Sequence, residues 1–383
     1  MEFAPLAPSI AELGNPELIA KQFFDPWRGP ERLLKAMVTA PLRRAYGDLC
    51  AAVKGVSMAV SHPLTPALPL IAESRGLPWF SSVLAPYSLF SHSDPSVIPN
   101  FAWLDRLPGV GTRAHGWLLK LARLSVRRWE QPLHALRAEM GLPAVRETLL
   151  IDGSFSSRGT LALFDPVLAS RQTDWPPHTF VCGAALHDAG DPQAVTGVSD
   201  DALETFLAAG PPPVVFALGS SAVWIAKDYW SHTIAACNAL GVRGLLLTGN
   251  PLREQLPSSV AVFDYLPYSR VFPRAAAIVH QAGIGTLSVA LRSGRPQLLT
   301  PVAFDQPDNA ARAGRLGVSR VLPFRRAHSA ARLARELRTL LEDSIYASAA
   351  QDVADKLRGV DGAAAAAECL IGQLRNRAYQ PSA

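Results

Sequence analysis

Cysteine is scarce in this sequence. Cys50, Cys182, Cys237 and Cys369 stand far apart, with no Cys-x-x-Cys pair and no Cys/His ligand spacing. That excludes a disulfide framework and a spacing-defined zinc site, so no metal is expected, and it fits a reducing cytoplasm. Long apolar runs are missing too: no stretch approaches the roughly eighteen residues that a membrane-spanning helix needs. The opening "MEFAPLAPSI" has neither the basic n-region nor the apolar h-region of a secretory signal. Charge is thin, at 18% of residues, and the net +5 is scattered rather than gathered into the blocks of a nucleic-acid arm. Nucleic acid is therefore not an expected partner.

Apolar residues are abundant, at 49% of a 383-residue chain, which exceeds what one core usually supports and predicts two domains. "EFAPLAP" reads as a short strand, and a helical stretch runs over about 30–53. The strand "GVSMAVSH" ends at His62, followed by the helix-like "TPALPLIAESRG" and the strand "LPWFSSVLAP". Strand, helix, strand predicts an α/β fold with a parallel sheet. A long amphipathic helix is expected over about 112–140, with Trp117, Leu118, Leu121, Leu124 and Leu136 on its apolar side. Arg113, Lys120, Arg123, Arg127 and Arg128 supply its charge, predicting a solvated face over a core stripe; a weak membrane-surface contact is the alternative.

"LALFDPVLAS" and "WPPHTFVCGAAL" read as the last strands of a first domain covering 1–190. Residues 191–212, rich in Gly, Pro and Asp with one short helix, read as a linker. A second α/β domain follows over 213–362, with strands in "PVVFALGSS", "RGLLLTG", "VAVFDYLP", "AAIVHQ" and "PQLLTP".

Three turns in that second half carry chemistry. "VHQAGIGTLSVALRSG" is a strand, a turn and a helix that stops before Gly294. Gly283 and Gly285 permit close backbone approach, and a helix N-terminus favours an anion such as a diphosphate. A ligand-free strand-to-helix turn is the other reading, since Gly-x-Gly-x-x-Gly is incomplete here. "GSS" at Gly219–Ser221 also ends a predicted strand, where open α/β sheets place their ligands. In "LLTPVAFDQPDNAAR", Asp305 and Gln306 offer acceptors and donors suited to vicinal sugar hydroxyls, with Asn309 one helical turn on. Capping of the following helix is the competing role for the Asp-Gln pair.

The run "FDYLPYSRVFPRAAAIVHQAGIGTLSVALRSGRPQLLTPVAFDQPDNAARAGRLG" resembles the donor-binding signature of the bacterial branch of the UDP-glycosyltransferase superfamily. A weaker resemblance extends over most of the chain. It implies the GT-B fold, two Rossmann-like domains facing across a cleft, with a C-terminal segment over 363–383 crossing back to the first. It also implies transfer of a hexose or deoxyhexose from a UDP- or dTDP-sugar to a hydroxyl of a hydrophobic acceptor, with inversion and without a cofactor. By the same resemblance Tyr265 stacks on the base. Gly219, Ser220, Gln281, Gly283, Gly285 and Thr286 hold the diphosphate, and Asp305 with Gln306 binds the sugar. His280 and Asn309 stand behind these residues.

Departures from the family pattern are clear. Gln281 occupies the slot of a phosphate-contacting His, and Val289 that of an acidic ribose contact. The family's first strand, base-carrying loop, helix and second strand have no counterpart before "EFAPLAP", so the first domain is expected to be incomplete. A non-catalytic nucleotide-sugar-binding protein is accordingly the alternative function. His62, near the place where relatives carry an acidic partner of the base, is the candidate catalytic residue. Its other reading is a strand-end His bonded to its own loop. Tyr87, Phe90 and Trp103 are candidates to line an acceptor pocket.

Overall fold

The computed structural model describes residues 3–97, 110–187, 200–226, 228–249, 252 and 256–378. The chain divides into two compact units. Unit 1 comprises Met1–Phe164, Ser170–Gly183 and Ala363–Ala383; unit 2 comprises Asp165–Ala169 and Ala184–Gly362.

Unit 1 is built on four parallel strands, β1 (Ala59–Ser61), β2 (Trp79–Val83), β3 (Thr160–Ala162) and β4 (Thr179–Val181), lying side by side in chain order. The helix Ala67–Arg75 links β1 to β2, burying Leu68, Leu70 and Ile71 and ending on Gly76 at φ +62°. Glycine reaches that left-handed conformation without steric cost, so the chain can turn sharply into β2. The helix Gly362–Ala378 contributes Ala366 to a small cluster with Leu161 of β3 and Cys182.

Three expectations in this unit are corrected. Residues 3–8, the described part of "EFAPLAP", form no strand: prolines remove two backbone donors, and the Ala7 amide donates to the Asp48 carboxylate instead of to a neighbouring strand. The single helix expected over 30–53 is divided into Gly29–Leu34, a π-turn Lys35–Thr39 and Leu42–Ala52, with Pro41 at the break. The long helix is likewise two helices, Val110–Trp129 and Gln131–Glu139, because Pro132 belongs in a first helical turn and not in an interior. Its apolar stripe is divided as well, Leu136 being buried in the core and Leu118 half-buried. Trp117, Leu121 and Leu124 are 68%, 56% and 58% exposed, and the helix meets the core through Val126 instead. Trp103 and residues 191–199 of the expected linker lie outside the described residues, whereas Asp200–Ala208 is helical.

Unit 2 holds a six-stranded parallel sheet in the order β10-β9-β8-β5-β6-β7. The strands are β5 (Val214–Ala217), β6 (Gly244–Leu247), β7 (Val260–Phe263), β8 (Ala277–His280), β9 (Gln297–Leu299) and β10 (Ser319–Val321). Side chains alternate across a strand, and here both faces are apolar. Val214, Phe216, Leu246 and Val279 enter one cluster with Tyr229, Trp230 and Leu337, while Val215, Ala217, Leu245 and Ile278 enter another with Phe263 and Phe272. Helices cover each face. The chain adds β6 and β7 on one side of β5, then returns to place β8 on the other, so the topology switches between β5 and β8. Open α/β sheets bind ligands outside the carboxyl ends of strands at such a point.

One buried ion pair holds the helix behind this point. Asp165, with a fully buried side chain, receives Arg292 in a two-pronged contact of 2.5 and 2.7 Å, and the Ala184 amide at 3.1 Å. Arg292→Ala strands that carboxylate away from water. Chemical denaturation of this variant is expected to show a loss of about 3 kcal/mol, the usual cost of orphaning a buried charge; a loss below about 1 kcal/mol would contradict the assignment.

Candidate functional site

The site begins with two loops, one at the end of each strand flanking the switch. After β5 the chain turns at Gly219, φ +66°, into a short helical turn Gly219–Ala222. Ser220 lies within that turn; its side chain is outside the described part. After β8 come Gln281, Ala282 at φ +66° and Gly283, which caps the helix Ile284–Arg292 with its backbone alone. The Gln281 carboxamide joins the two loops. A Cβ built on Gly219 would lie 2.1 Å from Gln281 Nε2, and one on Gly283 would lie 3.0 Å from it. Glycine is needed at 219 on both counts, space and dihedral. Gln281 is 6% exposed, and its Oε1 is buried without a hydrogen-bond partner. A half-turn of the carboxamide puts an NH₂ there, so the position can offer a donor or an acceptor. A Cβ at Gly285 meets open space, and Thr286 is buried within the first turn of the helix.

A third loop follows β9. The Thr300 amide donates to the His280 carbonyl at 2.8 Å, continuing the ladder. The chain then turns at Phe304, φ +58°, to reach Asp305 and Gln306 at the start of the helix Gln306–Arg315. Asp305 Oδ2 accepts from Asn309 Nδ2 at 2.7 Å, and the carboxylate also faces the Ile284 amide of the glycine loop. Burial, the largest influence, raises its pKa above the ordinary carboxylate range, and the nearby Asp308 adds to this. The Asp305 side chain does not cap its own helix. Gln306 Oε1 accepts from the amides of Val302, at 2.8 Å, and Ala303, at 3.3 Å, so its acceptor end serves its own loop and its NH₂ is the end left to act.

His280 is fully buried. Its Nδ1 accepts the Ala282 amide at 3.1 Å and its Nε2 faces Gln297 Oε1 at 3.0 Å. Both contacts are satisfied by the neutral ring with its proton on Nε2. Burial, the dominant cause, holds this imidazole down at about 4. Asn309, also fully buried, donates Nδ2 to the Ala282 carbonyl at 3.0 Å.

Tyr265 is 45% exposed in the loop after β7. Three strand spacings, roughly 14 Å, separate β7 from β8. Gly219, Gln281, Gly283, Ile284, Asp305 and Asn309 are therefore joined by contacts, whereas Tyr265 shares the same sheet end at a distance.

His62 belongs to unit 1. Its Nδ1 accepts the Leu64 amide at 3.2 Å, its backbone is tied twice to the Thr65 hydroxyl, and burial lowers its pKa. These bonds fit a strand-end histidine fastened to its own loop. Tyr87 and Phe90 are half-buried, Phe90 against a core cluster. Gln297, Ala282 and Phe304 carry no signal as residue types and were not legible in the sequence as parts of the site.

Residues 246–364 match the family described as EryCIII-like_C, the erythromycin biosynthesis protein CIII-like C-terminal domain. The chain is 32% identical over 346 residues to O-mycaminosyltylonolide 6-deoxyallosyltransferase of Streptomyces fradiae, covering 88% of this chain and 79% of that protein. Among solved structures it is similar to the glycotransferase of kitacinnamycin, with a TM-score of 0.66 at 19% identity, covering 97% of this chain and 87% of that one. It is also similar to the glycosyltransferase VinC in complex with dTDP, with a TM-score of 0.59 at 20% identity, covering 97% and 84%. These structures share the GT-B fold.

The buried neutral His280 makes stability depend on pH. Its folded pKa, about 4, lies below the ordinary 6.5. The neutral form is thus favoured by folding, and that contribution is complete above pH 6.5 and lost as pH falls toward 4. Relative to a His280→Leu variant, the wild-type chain is expected to lose up to about 3 kcal/mol across that window in chemical denaturation. A difference between the two proteins that does not vary with pH would refute the assignment.

Proposed function

Because this chain belongs to the UDP-glycosyltransferase superfamily and is a glycosyltransferase, we propose that it moves a hexose or deoxyhexose from a UDP- or dTDP-sugar to a hydroxyl of a hydrophobic acceptor, with inversion. The observation that carries this reading is the meeting of Gly219, Gln281 and Gly283 at the topological switch, one contact away from Asp305. The 6-deoxyallosyl transfer for which the Streptomyces fradiae relative is named, and the dTDP bound to VinC, support the deoxyhexose and dTDP arm.

In this reading Tyr265 stacks on the base, a contact that any base offers. Gly219 and Ser220 with Gln281, and the amides of Gly283, Gly285 and Thr286, receive the diphosphate at the positive end of a helix. Asp305 and the NH₂ of Gln306 hold sugar hydroxyls. The acceptor hydroxyl attacks the anomeric carbon from the side opposite the nucleotide. The carbon–oxygen bond to the phosphate breaks, the nucleoside diphosphate leaves with the electron pair, and the acceptor proton passes to a base. Amides already aimed at the diphosphate stabilise the charge that develops as it departs.

The acceptor's hydrophobic character is consistent with the outward Trp117, Leu121 and Leu124. Their helix, Val110–Trp129, contains five basic residues and no acidic one. Lys120 Nζ lies 5.2 Å from the Trp117 ring centre. Such a helix suits weak contact with an acidic lipid surface.

Two measurements test these assignments. In calorimetric titration with UDP-glucose and dTDP-glucose, Asp305→Ala and Tyr265→Ala are each expected to weaken binding of the accepted donor by roughly ten- to a hundredfold, the loss of a charged hydrogen bond or a base stack. Unchanged affinity in both variants would remove the site. Co-sedimentation with phosphatidylglycerol vesicles at low salt, diminished in Leu121→Asp, is expected for the lipid contact; equal recovery of the two proteins would discard it.

A further inference from the structure

The geometry points to His280 and Asn309 as paired positioning residues that hold Ala282 in a left-handed backbone conformation and so set Gln281 and Asp305 on the donor. The inference rests on the donor-site reading above and adds what keeps that site in shape.

Ala282 is the centre of the arrangement. At φ +66° the alanine Cβ crowds its own backbone, a strain that a free loop would relieve by turning the peptide. Here both polar groups of the residue are held by fully buried side chains. Its N–H donates to His280 Nδ1 at 3.1 Å, and its C=O accepts from Asn309 Nδ2 at 3.0 Å. Its methyl group is a third anchor, packed in a cluster with Leu287, Leu299 and Ala310. A turn of either flanking peptide would leave a buried donor or acceptor without a partner.

Each holder is itself fixed. Gln297 Oε1 of the adjacent strand sits 3.0 Å from His280 Nε2, so one tautomer makes both of the ring's bonds. Asn309 has two amide hydrogens, and they serve the Ala282 carbonyl and Asp305 Oδ2. One carboxamide therefore connects the loop that receives the diphosphate with the carboxylate that receives the sugar. The Ile284 amide against Asp305 closes the circuit. Gln281 lies between the two fixed residues His280 and Ala282, so the direction of its side chain toward Gly219 follows from their positions. Neither His280 nor Asn309 needs to touch the donor for this; they act through Ala282 and Asp305.

The test has one readout that needs no ligand and one that does. In the full chain, the Ala282 amide is expected to exchange slowly with deuterium in the wild type and His280→Asn, whose side-chain oxygen can replace Nδ1 as acceptor. It should exchange at least roughly fivefold faster in His280→Ala, one net hydrogen bond having gone. By calorimetry with UDP-glucose and dTDP-glucose, His280→Ala and Asn309→Ala are each expected to weaken donor binding roughly five- to tenfold while thermal melting remains cooperative, with His280→Asn close to wild type. Equal protection of Ala282 in all three proteins would overturn the proposal. So would unchanged donor affinity in His280→Ala and Asn309→Ala while Asp305→Ala loses it. If Asp305→Ala also binds as the wild type does, the donor-site reading fails instead, and amide exchange still decides whether the clamp on Ala282 exists.

Discussion

Everything at the candidate site hangs on the reversal of strand order between β5 and β8. Neighbouring parallel strands leave their crossover connections on opposite sides at such a point, and the loops beyond them part to leave room over the sheet end. In this chain the two loops do not part empty: the Gln281 carboxamide fills the space that a side chain at Gly219 would need. Paired register between Ala217 and His280 brings the strand ends level, so the two turns start from the same height. The third loop is then fixed by the ladder bond from Thr300 to His280, which delivers Asp305 beside the first turn of the neighbouring helix.

That geometry is steady only because the sheet beneath it cannot shift. Successive residues of β5 enter separate apolar clusters on the two faces, so slipping by one position would exchange every packed side chain at once. A further cluster, with Ala282, Leu287, Leu299 and Val353, lies under the loops themselves. The Asp165–Arg292 pair ties the far end of the helix Ile284–Arg292 to a segment that precedes β5 in the chain. Packing fixes the strands, the strands fix the loop ends, and buried polar bonds fix the loops.

Much of this was written locally in the sequence, and the parts that were not are non-local. β5, β6, β8 and β9 are short continuous apolar runs bounded by turn residues, which is how buried parallel strands read. The stop at Gly294 and the Asp305–Gln306 pair were legible as residue types in place. β10 escaped notice because three residues, Ser319–Val321, give no periodic pattern. The outward stripe of Trp117, Leu121 and Leu124 was misread because helical spacing identifies an apolar side but not what faces it. Proline at 132 was the signal that the helix divides, and hydrophobic spacing across it concealed that signal. Ala282 and Phe304 take left-handed conformations that no side-chain preference announces. At Ala282 that conformation is held by bonds to His280 and Asn309 and by packing against Leu287, Leu299 and Ala310.

The charges around the loops suggest how an anion is received there. His280 is held neutral by burial, Gln281 is an uncharged carboxamide, and Asp305 is pushed toward its neutral form. The nearest arginines on the flanking helices are already engaged, Arg292 with Asp165 and Arg312 with Asp308. Positive potential at the loop therefore comes chiefly from oriented backbone amides and the end of a helix, which are fixed dipoles and not mobile side-chain charges. A dipole keeps its value only while its direction is held, and a turn of the peptide plane by roughly 60° brings a donor's N–H···O angle to about 120°, below which the bond to a phosphate oxygen weakens steeply. A lysine could adjust to such an error; an amide at Gly283 or Gly285 cannot. Rigid support of Ala282 is thus the physical counterpart of the diphosphate site proposed above, which has few charges of its own.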